Sequence, residues 1–330
     1  MFKERLELYK QLEEKRQCKL LVYVTGDRSG LEAQIAKEVL HLFVRHLDLI
    51  ATSPLIALYL YAQGGDTLAS WSIVNLIRQF CGEFEVIVPG KAHSGGTLIC
   101  LGANAIVMTK QATLSPIDPS INTPLNPQIA ESQFARFPVS VEALNGFIEF
   151  AKSSLGEGAD LKDAFLMLAG NVHPLVLGTA FRARTHIRML ASKLLAAHMT
   201  DEAKVNRILN FLCSESGSHD YTINRKEAHE DLGLSIQKPD DNLYKIIKAI
   251  YDDIEKELML TQPYSPALAL GSKTETKYSY KRALVESVAG GSDEYRSEGN
   301  LSKMSVEVQG VKQEAVKDAR SFEGWRHVDA

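Results

Sequence analysis

The sequence predicts an α/β protein built on a mostly parallel sheet or on stacked β-β-α units, and three observations carry that prediction. Apolar runs of strand length alternate with segments of helical period through the first 110 residues. Three of the runs end in glycine-bearing turns. From Ser140 onward the pattern becomes helical. At 330 residues the chain is long enough for one large domain or two ordinary ones, with a substantial core.

Residues 2–16 put Phe2, Leu6, Tyr9 and Leu12 on one helical face, with Lys, Glu and Arg on the others. Residues 19–25 (KLLVYVT) read as a buried strand and 26–30 as a loop. Residues 31–47 read as a helix with Ile35, Val39, Leu42, Phe43 and Leu47 inward. A second strand at 55–61 runs into Gly64-Gly65-Asp66, followed by a helix over 67–80. The third strand, 84–88, reaches Pro89-Gly90-Lys91-Ala92-His93-Ser94-Gly95-Gly96-Thr97, after which 98–103 reads as a helix and 105–108 as a fourth strand. Four prolines between Pro116 and Pro127 make a stiff, non-helical excursion that carries Asp118. Helices are expected over 141–154, 160–169, 174–199, 202–213 and 240–258. Three parts follow: an N-terminal helix (1–18), a principal domain (19–263) and a polar C-terminal tail (264–330), expected to be mobile because it holds few large apolar residues.

A net charge of −4 leaves no general footprint for nucleic acid, and no basic stretch interleaves with aromatics. The charged N-terminus lacks the apolar core of a secretory signal, and no apolar run approaches membrane-spanning length, so the expected location is cytoplasmic. Cys18, Cys81, Cys100 and Cys213 are scattered without metal-site spacing and read as reduced residues; neither a metal nor an organic cofactor is expected.

Two turns carry candidate chemistry. Ser94 sits between a strand and a helix, with Ala92 and Gly96 two residues to either side, where bulk would block a tight turn. Such a turn exposes the hydroxyl as a nucleophile and brings the N–H groups of the next helix near it. The plainer alternative is a serine capping that helix. Gly64-Gly65, also between strand and helix, reads either as an oxyanion-binding segment or as an ordinary turn. A phosphate-binding reading is weaker, because neither glycine fingerprint of that chemistry is present. Asp118 reads as an orienting carboxylate or as a turn residue before proline.

Taken together, LYLYAQGGD (58–66), VPGKAHSGGT (88–97), LSPIDP (114–119), His173-Pro174 and His219-Asp220-Tyr221 resemble the serine dehydrogenase proteinase family, a distant relative of the Clp proteolytic subunits and signal peptide peptidases. The resemblance runs from about residue 19 to about residue 263 and does not include the tail. It implies a Clp/crotonase-like spiral of β-β-α units with additional C-terminal helices, and a serine endopeptidase acting on peptides or proteins through an acyl-enzyme. It also implies a homo-oligomer (trimer, hexamer or heptamer) and admits an unfoldase partner. Ser94 matches the family nucleophile, and Gly64 and Gly65, with Gly95 beside the serine, match the oxyanion and substrate-binding segment. The family order of Ser, Asp and His is met by Ser94, Asp118 and His219, and equally by His173 in place of His219. A Ser/Lys dyad with Lys152 is the rival mechanism. A non-catalytic oligomer that binds peptides, and acyl-CoA chemistry on the same fold, remain alternatives from other classes.

Overall fold

The computed structural model describes residues 2–117, 119–129, 135–156, 158, 160–215, 218, 220–308 and 311–328. The first half runs α1 (Phe2–Arg16), β1 (Lys19–Thr25), a short 3-10 turn (Lys37–Val39), α2 (Leu40–Ile50), β2 (Ser53–Tyr61), α3 (Thr67–Arg78), β3 (Cys81–Val88), β4 (Lys91–Ala92), α4 (Gly95–Leu101), β5 (Ala105–Met108) and β6 (Thr113–Leu114). A helical region follows: β7 (Ser120–Ile121), β8 (Val139–Ser140), α5 (Val141–Leu155), α6 (Lys162–Asn171), α7 (Pro174–Ala196) and α8 (Glu202–Asn210), which continues as a π turn (Phe211–Glu215). The chain closes with β9 (Ile223–Asn224), α9 (Arg225–Glu230), β10 (Ile236–Gln237), α10 (Asp241–Leu258), α11 (Pro266–Leu270), β11 (Glu275–Ser287), β12 (Gly291–Val308) and β13 (Val311–Val328).

The main sheet has the order β10-β5-β3-β2-β1-β11-β12-β13, parallel from β10 to β1 and antiparallel from β1 outward. Strand β1 is apolar from Leu20 to Val24 because both of its faces are covered there. Leu21 and Tyr23 pack with α2 and α3 on one side, while Leu20, Val22 and Val24 pack with α1 and α10 on the other. A small second sheet, β4-β6-β9, gives the fold its repeat: β3 is followed by β4 and then α4, and β5 is followed by β6, each second strand leaving the main sheet. The α/β class, the β-β-α units and the C-terminal helices expected from the sequence are all present.

Two expectations need correction. The helix expected over 31–47 begins only at Lys37, because Ile35 is held extended: its N–H donates to Gly64 O and its carbonyl accepts from Asp66 N–H, both at 2.8 Å. The expected mobile tail is also not what is seen, since 275–308 and 311–328 form β11–β13 and extend the main sheet past β1. A few apolar side chains there, Leu284 and Val285 in the two main clusters and Leu270, Tyr278 and Leu301 in a third, are joined by a buried ionic contact. Glu286, fully buried, accepts from Arg5, Tyr9 and Ser292, while Arg5 also pairs with Asp253 and Glu257 of α10. Buried charges of this kind are tolerated only when paired and hydrogen-bonded, and composition alone cannot reveal the pairing.

Helices α5–α7 with β7 and β8 form a satellite cluster around Ile121, Val139, Val141, Val176 and Ala180. Helix α6 buries no residue, and Phe150, Phe165, Met167, Leu175 and Phe181 of this region are exposed. Among the described residues no single helix is long and apolar enough to cross a membrane; α6 and α7 meet the length and composition only together and are bent by 104°.

Candidate active site

Ser94 has φ 49° and ψ −110°, a conformation that L-residues rarely hold. The strain is borne by neighbours. The Ser94 N–H donates to Ser115 Oγ at 2.8 Å; Ser115 Oγ donates to Pro116 O at 3.0 Å, and Ser115 N–H donates to Thr97 Oγ1 at 3.0 Å. Thr97 in turn donates to Ala92 O at 2.8 Å, which closes a ring of hydrogen bonds around the turn. Ser94 makes no side-chain cap to α4, and among the described residues its hydroxyl has no hydrogen bond. The capping alternative is therefore not what this serine does.

Gly64 and Gly65 reach the serine from the end of β2, at φ 127° and 145°. A Cβ on Gly64 would lie 2.8 Å from Ser94 Cβ and 3.3 Å from its Oγ, so only glycine permits this approach. A Cβ on Gly95 would lie 3.4 Å from Gly65 N, so the two backbones are in close contact beside Ser94. Neither the Gly65 nor the Gly95 N–H donates a hydrogen bond among the described residues. A pair of unengaged backbone donors flanking a hydroxyl is an arrangement able to hold a developing oxyanion. Asp66 is engaged elsewhere: its Oδ1 caps α3 by accepting from Ala69 N–H at 2.7 Å.

The basic and acidic partners are distributed differently. Asp118 and His219 lie outside the described residues. Their neighbours converge on the turn nonetheless. Ile117 N–H donates to Leu212 O at 2.9 Å, and Leu114 of β6 pairs with Ile223 of β9. The segment between Leu212 and Ile223 is thus anchored at both ends to the 114–117 stretch whose Ser115 holds Ser94. His173 is not brought to this place by any described contact; it is exposed and caps α7, its Nδ1 accepting from Leu175 N–H at 3.2 Å. Lys152 is half exposed and bonded to Glu149 at 2.7 Å. His93, next to the serine, shares a 2.8 Å hydrogen bond through Nε2 with Thr113 Oγ1.

Residues 34–142 match the model of the ClpP-like SDH-type serine proteinases. Over that stretch the chain is similar to this family. It spans both glycines, the serine turn and the 114–117 segment. A curated relative, an uncharacterized protein of Methanocaldococcus jannaschii, is 29% identical over 181 residues, covering 55% of this chain and 53% of its own. A second uncharacterized protein of the same organism is 41% identical over 66 residues, 20% of this chain and 23% of its own. The chain thus spans about half the length of the first relative and less of the second. Among solved structures, the membrane-bound stomatin-specific protease 1510-N overlaps at TM-score 0.38 and 18% identity, over 63% of this chain and 77% of that one. ClpP1 from Listeria monocytogenes overlaps at TM-score 0.38 and 17% identity, over 72% and 99%. Overlaps this loose carry no inference about chemistry.

Ser115, Thr97 and the backbone of Ile35 are supports of the two turns that the sequence reading missed. Ser115 stands in the Leu-Ser-Pro-Ile-Asp-Pro stretch already singled out for Asp118, and its small hydroxyl before a proline is the available signal. Substituting Ser115 by alanine leaves the Ser94 N–H without its acceptor, at a cost of about 1–3 kcal/mol. The expected outcome is a lower midpoint of thermal unfolding together with a fall in kcat larger than any change in KM, measured side by side with Ser115→Thr.

His198 follows α7 and docks it on the serine-bearing helix, its Nε2 donating to Leu101 O at 2.9 Å. Burial lowers its pKa from the ordinary 6.5, Arg78 and Lys204 add to the lowering, and the Leu101 bond opposes it. The unfolded chain therefore takes up this proton more readily. Stability is expected to be fully present above pH 6.5 and to be lost as pH falls through the folded value; a urea series across that window, flattened in His198→Gln, checks it.

Proposed function

We propose that this protein is a serine peptidase that cleaves peptide bonds through an acyl-enzyme on Ser94. The observation that carries the reading is the strained turn itself: an unengaged hydroxyl against the unengaged N–H groups of Gly65 and Gly95. In the first step Ser94 Oγ bonds to the carbonyl carbon, its proton passes to a base, and the carbonyl oxygen takes up negative charge facing the two amides. Collapse breaks the C–N bond as the base returns the proton to the leaving amine; water then repeats the sequence to release the acid.

His219 is our choice of base and Asp118 of orienting group. The anchoring of their flanking segments at Leu212, Ile223 and Ile117 beside the turn supports the choice. The engagement of His173 in a helix cap and of Lys152 with Glu149 speaks against those rivals. Self-association through the exposed apolar side chains of α5–α7 is part of the same reading. Intact-mass measurement after a fluorophosphonate probe tests it on the wild type and on His219→Ala, His173→Ala and Lys152→Ala. Labelling of the wild type that disappears only with His219→Ala is expected. A folded protein that never labels sinks the peptidase reading and leaves a peptide-binding oligomer.

A further inference from the structure

A cleft of about 270 Å³ opens between the 31–39 segment and the C-terminal strands; Tyr23, Glu32, Glu38, Arg282, Tyr295 and Trp325 are among its walls. None of the residues around Ser94 lines it. The Tyr295 and Trp325 rings meet edge to face at 5.4 Å and form an aromatic side. The indole Nε1 of Trp325 is buried and has no partner among the described residues.

The charge of the cleft is anionic at its rim. Glu32 and Glu38 are both exposed, and Glu38 enters no ion pair among the described residues. Arg282 does not offset them, because its guanidinium is already engaged. It donates to Leu31 O at 3.1 Å, to Glu32 O, to Ser297 Oγ at 3.2 Å and to Glu323 at 2.9 Å. An acidic ligand would meet two exposed carboxylates and an Arg282 already paired with Glu323. A cation with an apolar stem would meet carboxylates at one end and aromatic faces along its length.

We propose that the cleft binds a lysine or arginine side chain presented by an extended peptide. The cationic head pairs with Glu38 and Glu32, and the methylene stem lies along Tyr295 and Trp325. The position has a consequence for the serine turn. Glu32 and Glu38 bracket Ile35, whose backbone bonds hold Gly64 and Asp66 in place. A ligand gripping both ends of that segment steadies the glycines beside Ser94.

Calorimetric titration of the full chain with N-acetyl-L-lysine methylamide, against its uncharged norleucine counterpart, tests the proposal. The lysine compound is expected to bind at least about tenfold more tightly than norleucine, with a loss of about tenfold or more in Glu38→Gln, which removes one exposed charge. Trp325→Ala, which removes one aromatic wall, is expected to weaken binding as well. Amide exchange at Asp66 should slow when the ligand is bound. Absence of saturable heat, equal binding of the two compounds, or full binding by both variants overturns the assignment. A kinetic arm separates the sources of the side chain, and it alone rests on the peptidase reading. Inhibition competitive with a peptide substrate assigns the occupant to the substrate, whereas a change in kcat at constant KM assigns it to a separate effector peptide.

Discussion

Replacing Ser94 by alanine is expected to abolish fluorophosphonate labelling and to lower peptide turnover by about a millionfold, the scale on which a triad fails when its nucleophile is lost. The protein should otherwise be unchanged. The hydroxyl makes no hydrogen bond among the described residues, and the strained backbone is held through its N–H to Ser115, which alanine preserves. Alanine pays nearly the same cost as serine at φ 49°, so the unfolding midpoint should move little. Intact mass, turnover and thermal unfolding on one preparation check all three statements. Persistent labelling in the variant would place the nucleophile elsewhere.

Gly65→Ala is expected to have the next largest effect, through both stability and rate. At φ 145° an L-residue is strained by about 1–3 kcal/mol. The added Cβ would also collide with Ile35, 2.5 Å from its N and 2.8 Å from its Cα. Relief requires Ile35 to move, which opens its two bonds to Gly64 and Asp66. Displacement of the Gly65 N–H alone is worth about a hundredfold to a thousandfold in rate if it serves the oxyanion. Gly178→Ala is the control: it lies inside α7 with nothing within 4 Å of the new methyl, and alanine there should be neutral or stabilise by up to about 1 kcal/mol. Equal unfolding midpoints and equal kcat/KM for the two variants would show that Gly65 is under no such constraint.

Much of this arrangement is readable in the chain because it is local. Strand, turn and helix follow one another within a dozen residues around Ser94, and β5 falls at 105–108 as its apolar run implies. The glycines at 64 and 65 announce themselves because no side chain fits there. What escapes a sequence reading is pairing between distant polar groups. Glu286 and Ser292 look like surface residues until Arg5 and Tyr9 are brought against them. Ile35 reads as a helical core residue because side-chain periodicity says nothing about where its backbone N–H and carbonyl are used. Ser115 is similar, since a hydroxyl accepting from an amide 21 positions away leaves no periodic trace.

The place of β1 in the sheet carries a consequence for biosynthesis. Strand β1 ends with β2 on one side and β11 on the other, and Leu21 pairs with Ser287, far later in the sequence. One edge of β1 therefore stays open to water until β11 is made, a state in which unpaired strands recruit wrong partners. Closure must wait for β11 to emerge, and such long-range pairing is slow to form. Nascent chains stalled before β11 should be the species that chaperones hold and that aggregate when chaperones are scarce.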